Sequence, residues 1–290
     1  MVWVIKMGKY LFYDIDGTLV GKSKKVTEKT KWAIQEARRK GHRAFLCTGR
    51  APTSLVGDIK DIEFDGIVSS AGGFVIVQDK FIFENLINQY VLSEVMTLFI
   101  NNRILFTLET KDTLYQTPGV DDFFNKKFLK ENENNLELLR FLQLRRLGEN
   151  RKPIKDFNIL KNGVAKIVFI APDKNDFFKC VPFLEEFFNI VLFSKEEDEF
   201  VNGEIIIKNC TKADGIIKII NHFGGKMEDT IGFGDSMNDY QMLEKVNIGV
   251  VYEDAAQNLK DLGSYYFKDP DEDGIYEVMK EIGLVGEYKG

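Results

Sequence analysis

The stretch KYLFYDIDGT, Lys9 to Thr18, decides how the chain is read. From Lys9 to Ile15 the residues are almost continuously apolar, and the run stops at a polar turn, as in a strand buried on both faces of a parallel sheet. Asp14 and Asp16 then stand at its carboxyl end, the edge at which open α/β sheets take their ligands. Two carboxylates this close repel and need a counter-charge. Mg2+ suits the position, because this hard cation takes oxygen ligands and is commonly held by one or two carboxylates plus a substrate phosphate. With the charge neutralised, one carboxylate can attack phosphorus and form an aspartyl-phosphate, while the other protonates the leaving oxygen and later activates water. Asp14 is the candidate nucleophile and Asp16 the candidate acid/base. A calcium loop would need glycine at its sixth place and glutamate at its twelfth. Counted from Asp14, Gly17 comes too early and Lys25 holds the twelfth place.

Downstream, VTEKTKWAIQEARRKG predicts a helix that Thr27 can cap, with Trp32, Ala33 and Ala37 at apolar positions and Gly41 closing it. RAFLCTGR predicts a second strand, and FDGIVSSAGG a short third one. The first eighty or so residues therefore read strand, helix, strand, helix, strand, a doubly wound α/β pattern. From about Phe81 to Ile207 the texture changes. FTLETKDTLYQT and AKIVFIAP have strand character, whereas NQYVLSEVMTLFIN and DFFKCVPFLEEFF have helical spacing. LKENENNLELLRFLQLRRLGENRKP is charge-dense and reads as a helix or an exposed excursion. After Cys210 the earlier rhythm returns, with TKADGIIKIINHFGG as helix, TIGFGDS as strand and turn, and NIGVVYE and YYFKD as strands. The expected organisation is an α/β core of residues 1–81 and 208–290 carrying an α+β insertion, residues 82–207, as a lid.

Three further motifs carry chemistry. In CTGR, Thr48 ends a strand and meets Gly49, offering a hydroxyl and backbone amides to a phosphate oxygen; a plain turn is the other reading. In NCTKADG, Thr211 and Asp214 have capping-box spacing, so Lys212 falls in a first helical turn that already favours an anion; a solvated lysine is the alternative. In GFGDSMND, a short apolar strand ends in Asp235, a candidate third metal ligand, with Asn238 and Asp239 orienting it or its waters; here the alternative is a helix-capping aspartate. DPDEDG, Asp269 to Gly274, imitates the start of a calcium loop, but Lys280 holds the twelfth place and an acidic helix start fits better. His42 and His222 have no second histidine nearby to suggest a metal pair.

The chain of 290 residues is long enough for about two domains at roughly 150 residues each. With 44% hydrophobic and 29% charged residues it has the composition of a compact soluble protein. Lys and Arg total 39 against 45 acidic residues, a net charge of −6, and no long basic run offers a footprint for nucleic acid or an anionic membrane. Cys47, Cys180 and Cys210 form no CxxC pair, which fits free thiols in a reducing, cytoplasmic setting. The opening residues hold no signal peptide, and Met7 could equally be the start.

The order Asp-x-Asp-Gly-Thr, Thr-Gly-Arg, lysine, Gly-Asp-x-x-Asn-Asp resembles the haloacid dehalogenase superfamily, specifically the Cof-type phosphatases with a large cap between the second and third motifs. The resemblance spans nearly the whole chain. It implies a Rossmann-like core, a cap of the C2B type, and magnesium-dependent hydrolysis of a small organic phosphate, often a sugar phosphate; the expected assembly is a monomer or small homo-oligomer. Carried over motif by motif, it implies Asp14 as nucleophile, Asp16 as acid/base, Thr48 and Lys212 as phosphate binders, and a metal shell of Asp14, Asp16 through its backbone carbonyl, and Asp235, supported by Asp239. It also makes DEDGIYEVMK the start of the last core helix. Ala71-Gly72 stands where many relatives have Asn-Gly, which removes an amide that could touch substrate or cap. Two other functions stay open at this level: a phosphomutase, and a phospho-ligand sensor without turnover. Asp16 argues against the sensor, since binding alone needs no acid/base.

Overall fold

A computed structural model of the chain describes residues 8–123, 149–194 and 198–290. They form two compact units, one drawn from Met1–Arg50, Gly57–Phe83 and Thr211–Gly290, the other from Ala51–Val56 and Glu84–Cys210.

The first unit begins with β1 (Tyr10–Tyr13), α1 (Glu28–Arg39), β2 (Arg43–Cys47), β3 (Gly66–Ser69), β4 (Phe74–Val77) and β5 (Lys80–Glu84). All four residues of β1 are buried, as its continuous apolar pattern requires. The Thr27 side chain accepts from the Thr30 N–H at the start of α1, which buries Thr30, Ala33, Ile34 and Ala37 against the sheet. The helix expected between β2 and β3 does not form. Two short 3-10 turns, Pro52–Ser54 and Gly57–Asp61, stand there instead. Pro52 lacks an N–H and Gly57 takes a left-handed φ of 70°, so no continuous α-helical ladder can run through the segment.

The second unit contains α2 (Gln89–Asn101), β6 (Leu105–Glu109), β7 (Leu114–Gln116), β8 (Arg151–Pro153), β9 (Lys166–Ala171), α3 (Lys174–Phe178), α4 (Val181–Phe187), β10 (Phe188–Leu192) and β11 (Val201–Ile207). Its sheet runs β10-β11-β9-β6-β7-β8, antiparallel except for β7 with β8. Phe106, Leu108, Ile167, Phe169 and Ile205 share a core with Leu92, Val95 and Phe99 of α2 and with Phe177 and Leu184 of the later helices. This is an α+β arrangement. The segment DFFKCVPFLEEFF makes two helices, the second opening at Pro182, where a missing N–H costs nothing. Most of the charge-dense excursion falls on residues 124–148, outside the described residues.

The first unit resumes with α5 (Lys212–Phe223), β12 (Thr230–Gly234), α6 (Tyr240–Lys245), β13 (Ile248–Tyr252), β14 (Tyr265–Phe267) and α7 (Gly274–Glu281). Its eight strands lie in the order β14-β13-β12-β1-β2-β3-β4-β5. The ladders joining β14 through to β3 are all parallel, and β4 pairs antiparallel to β3. On one face, Phe12, Phe45, Val68 and Val75 pack with Ile216, Ile219 and Ile220 of α5. Tyr13 donates its hydroxyl hydrogen to Sδ of Met279 in α7. Full burial of a side chain such as Phe12 is worth roughly 2 to 3 kcal/mol over exposure. The chain leaves β1 towards β2 on one side and returns to β12 on the other, so the carboxyl end of β1 lies at a topological switch point. Among the described residues, no helix is long and apolar enough to cross a membrane.

Candidate active site

Asp14 is the first residue beyond β1, and its N–H donates to the carbonyl of Phe233 in β12 at 3.0 Å. Asp14 is only 2% exposed. Its Oδ1 accepts from Lys212 Nζ at 2.6 Å, and the same ammonium donates to Asp239 Oδ1 at 2.5 Å. Lys212 is no solvated lysine: it is 2% exposed, fixed at the first position of α5 by a capping box in which Thr211 and Asp214 exchange hydrogen bonds. Asp239 is held at its other oxygen, where Oδ2 accepts from the N–H groups of Asp235 and Ser236.

Asp235 follows β12, and its Oδ1 accepts from the Thr18 hydroxyl at 2.9 Å. It caps no helix; that position belongs to Ser236. Gly17, with φ 93°, lies so close that a Cβ there would sit 2.2 Å from Asp235 Oδ2. Carboxylate oxygens of Asp14, Asp235 and Asp239 all come within 4.8 Å of one another. Asn238 is exposed, and its Oδ1 accepts from the Ser236 hydroxyl.

Thr48 is buried just beyond β2. Its Oγ1 accepts from the Arg50 N–H at 3.1 Å, which leaves its own hydrogen able to donate. Among the described residues, nothing lies within 4 Å of where a Cβ on Gly49 would stand. The Asp16 carboxylate is engaged by Arg50, which donates from Nε to Oδ2 at 2.8 Å and from Nη2 to Oδ1 at 2.6 Å. Sequence reasoning passed over Arg50. The available signal was an arginine three residues past a strand end, inside a motif already singled out.

Charge crowding marks the site. Burial, ahead of the opposing pull of Lys212, pushes the Asp14 carboxyl up to about 7, with Asp239 and Asp16 adding to the rise. Burial also carries Asp235 well above the usual carboxylate range, reinforced by Asp239 and Asp14. For Lys212 burial acts downwards, but Asp14 and Asp239 outweigh it and hold the ammonium above its ordinary value. Three acids against one lysine leave room for a further cation. Asp14 Oδ2 is buried with no hydrogen-bond partner, and it is the kind of hard oxygen a divalent ion takes. The acidic segment after β14 offers no comparable group. There Asp269 caps Asp271, Asp271 accepts from Ser23, and Asp273 pairs with Lys29 at 2.9 Å.

A family model described as haloacid dehalogenase-like hydrolase matches residues 11–279. The chain is similar to the phosphatase-named YkrA of Bacillus subtilis (strain 168), 24% identical over 96% of this chain and 98% of that protein. It is also similar to the 5-amino-6-(5-phospho-D-ribitylamino)uracil phosphatase YwtE of the same organism, 23% identical over 97% of this chain and 99% of that one. Among solved structures, the subclass IIB sugar phosphatase BT4131 shares the fold at a TM-score of 0.75, 23% identity, covering 96% of this chain and 100% of its own.

Proposed function

From the premise that the chain belongs to the haloacid dehalogenase-like hydrolase family and is one of its phosphatases, we propose that it hydrolyses a small organic phosphate monoester, a sugar phosphate or related metabolite, with Mg2+ and through an aspartyl-phosphate on Asp14. One observation carries the reading: Asp14 presents one oxygen to Lys212 and keeps the other buried without a hydrogen bond, beside Asp235. Asp14 and Asp235 would hold the metal, with the Asp16 backbone carbonyl. When bound, Mg2+ would neutralise negative charge so that an anionic nucleophile can meet an anionic ester.

The chain's own groups supply the rest. Thr48 Oγ1 donates its free hydrogen to a phosphate oxygen, the Gly49 amide lines the same approach, and Lys212 adds a full positive charge. An Asp14 oxygen forms a bond to phosphorus as the bond to the leaving oxygen breaks, and a proton from Asp16 goes to that oxygen. A water oxygen then bonds to phosphorus, its proton passes to Asp16, and the bond to Asp14 breaks, releasing inorganic phosphate. Asp239 keeps Lys212 and the Asp235 backbone in place. Three buried cysteines, none of them in a disulfide, support a reducing, cytoplasmic setting. The protein would work as a monomer or small homo-oligomer.

The test is a panel of phosphorylated metabolites assayed with Mg2+ for free phosphate. Release of phosphate that Asp14→Asn abolishes, in a variant that still folds, is the expected result. Substantial turnover by Asp14→Asn would refute covalent catalysis, and an isomerised ester in place of free phosphate would make the enzyme a mutase.

A further inference from the structure

The two acids of the DIDGT motif are each met by a different kind of cation. Lys212 meets Asp14 as a point charge on one oxygen. Arg50 meets both oxygens of Asp16, and its planar fork fixes the plane and direction of that carboxylate as well as its charge. A nucleophile needs one oxygen left available, whereas a proton donor needs a defined line towards the leaving oxygen, so the difference suits the two roles proposed above.

The backbone of Asp16 takes its place from its own loop. It lies in the turn after β1, closed by the Gly17 N–H on the Val20 carbonyl at 2.9 Å, and its side chain is 25% exposed. The Arg50 side chain is 6% exposed, and its backbone is stapled. The Arg50 carbonyl accepts from the Ser70 N–H at 2.8 Å, and the Thr48 carbonyl accepts from the Ala71 N–H at 3.1 Å. The turn making both staples has three successive left-handed residues, Ser70, Ala71 and Gly72, with φ of 46°, 55° and 105°. Such backbone persists only where its surroundings over-determine it. Here a Cβ on Gly72 would lie 2.2 Å from the Thr211 carbonyl, so the turn is also wedged against the start of α5.

We infer that Arg50 is a positioning residue for the reaction: it aims the Asp16 carboxyl, and the strained turn after β3 holds Arg50 in place to do so. This rests on the reading of Asp16 as acid/base.

The experiment compares kcat/KM, which reports the first phosphoryl transfer, on two esters. One is the alkyl phosphate that the wild type hydrolyses fastest; the other is p-nitrophenyl phosphate, whose leaving group needs little protonation. Arg50→Met should lower kcat/KM on the alkyl ester by about 100-fold and on the aryl ester by less than about tenfold. Arg50→Lys, which keeps the charge and loses the fork, should fall between wild type and Arg50→Met. Asp16→Asn combined with Arg50→Met should be no slower on the alkyl ester than Asp16→Asn alone, because a positioning residue has nothing left to aim. Equal losses on both esters, additive losses in the double variant, or faster turnover without Arg50 would each overturn the assignment. If Arg50→Met does not fold, Arg50→Lys on the two esters decides alone. Turnover surviving in Asp14→Asn would instead remove the covalent mechanism itself, and the two failures are thereby told apart.

Discussion

Lys212 and Asp14 stand 198 residues apart in the chain, yet the ammonium of one meets the carboxylate of the other at 2.6 Å, both buried in the first unit. The same ammonium holds Asp239 at 2.5 Å, so one lysine keeps two buried acids apart.

Replacing Lys212 with methionine leaves Asp14 and Asp239 facing each other without a counter-charge. Removing one partner of a buried ion pair costs about 3 to 5 kcal/mol. Urea unfolding of the metal-free variant should show a loss of that order, and Mg2+ should raise the melting temperature of the variant more than that of the wild type. A variant as stable as wild type in chelator would contradict the buried-charge account.

Gly17→Ala puts a methyl group into the Asp235 carboxylate at a backbone φ of 93°. We expect at least about 1 kcal/mol of lost stability from the left-handed backbone alone. The Mg2+ concentration for half-maximal activity should rise several-fold as Asp235 is pushed aside. An unchanged Mg2+ dependence would show that the close approach does not shape the proposed metal site.

Ala71 adopts φ 55°, a region in which asparagine is far more at home. Ala71→Asn should therefore fold normally and gain up to about 1 kcal/mol, read from thermal unfolding. A marked loss would mean that the turn has no room for a larger side chain.

The Asp176 carboxylate in α3 accepts from Lys179 at 2.7 Å and from Arg103 at 2.9 Å. The Lys179 hydrogen bond first, then Arg103, lowers its carboxyl below the usual range, although desolvation pulls the other way. A carboxyl depressed in the folded state stabilises the protein above its unfolded value of about 4, and that stabilisation is lost as the pH falls through the folded value. The melting-temperature gap between wild type and Asp176→Asn should accordingly shrink from pH 6 to pH 3. A gap independent of pH would assign it to packing.

Much of this arrangement is legible from local pattern. The all-apolar run before Asp14 announces a doubly buried strand, and the Thr211 to Asp214 spacing announces the helix start that carries Lys212, because burial periodicity and capping act over a few residues. The helix expected between β2 and β3 fails on local grounds too. The α/β rhythm suggested an element that Pro52 and Gly57, read locally, already opposed.

Strand-end acids, the capped lysine and the α/β rhythm were determined by the amino-acid order alone, since each depends on neighbours within a turn or a strand. Which cation meets which acid was decided only by tertiary structure. Lys212 turns inward to Asp14 and Asp239, Arg50 grips Asp16, and Gly17 lets Asp235 close in, because parallel strand order brings residues far apart in the chain to one sheet edge. No local preference encodes that register; it follows from burying both faces of the sheet at once.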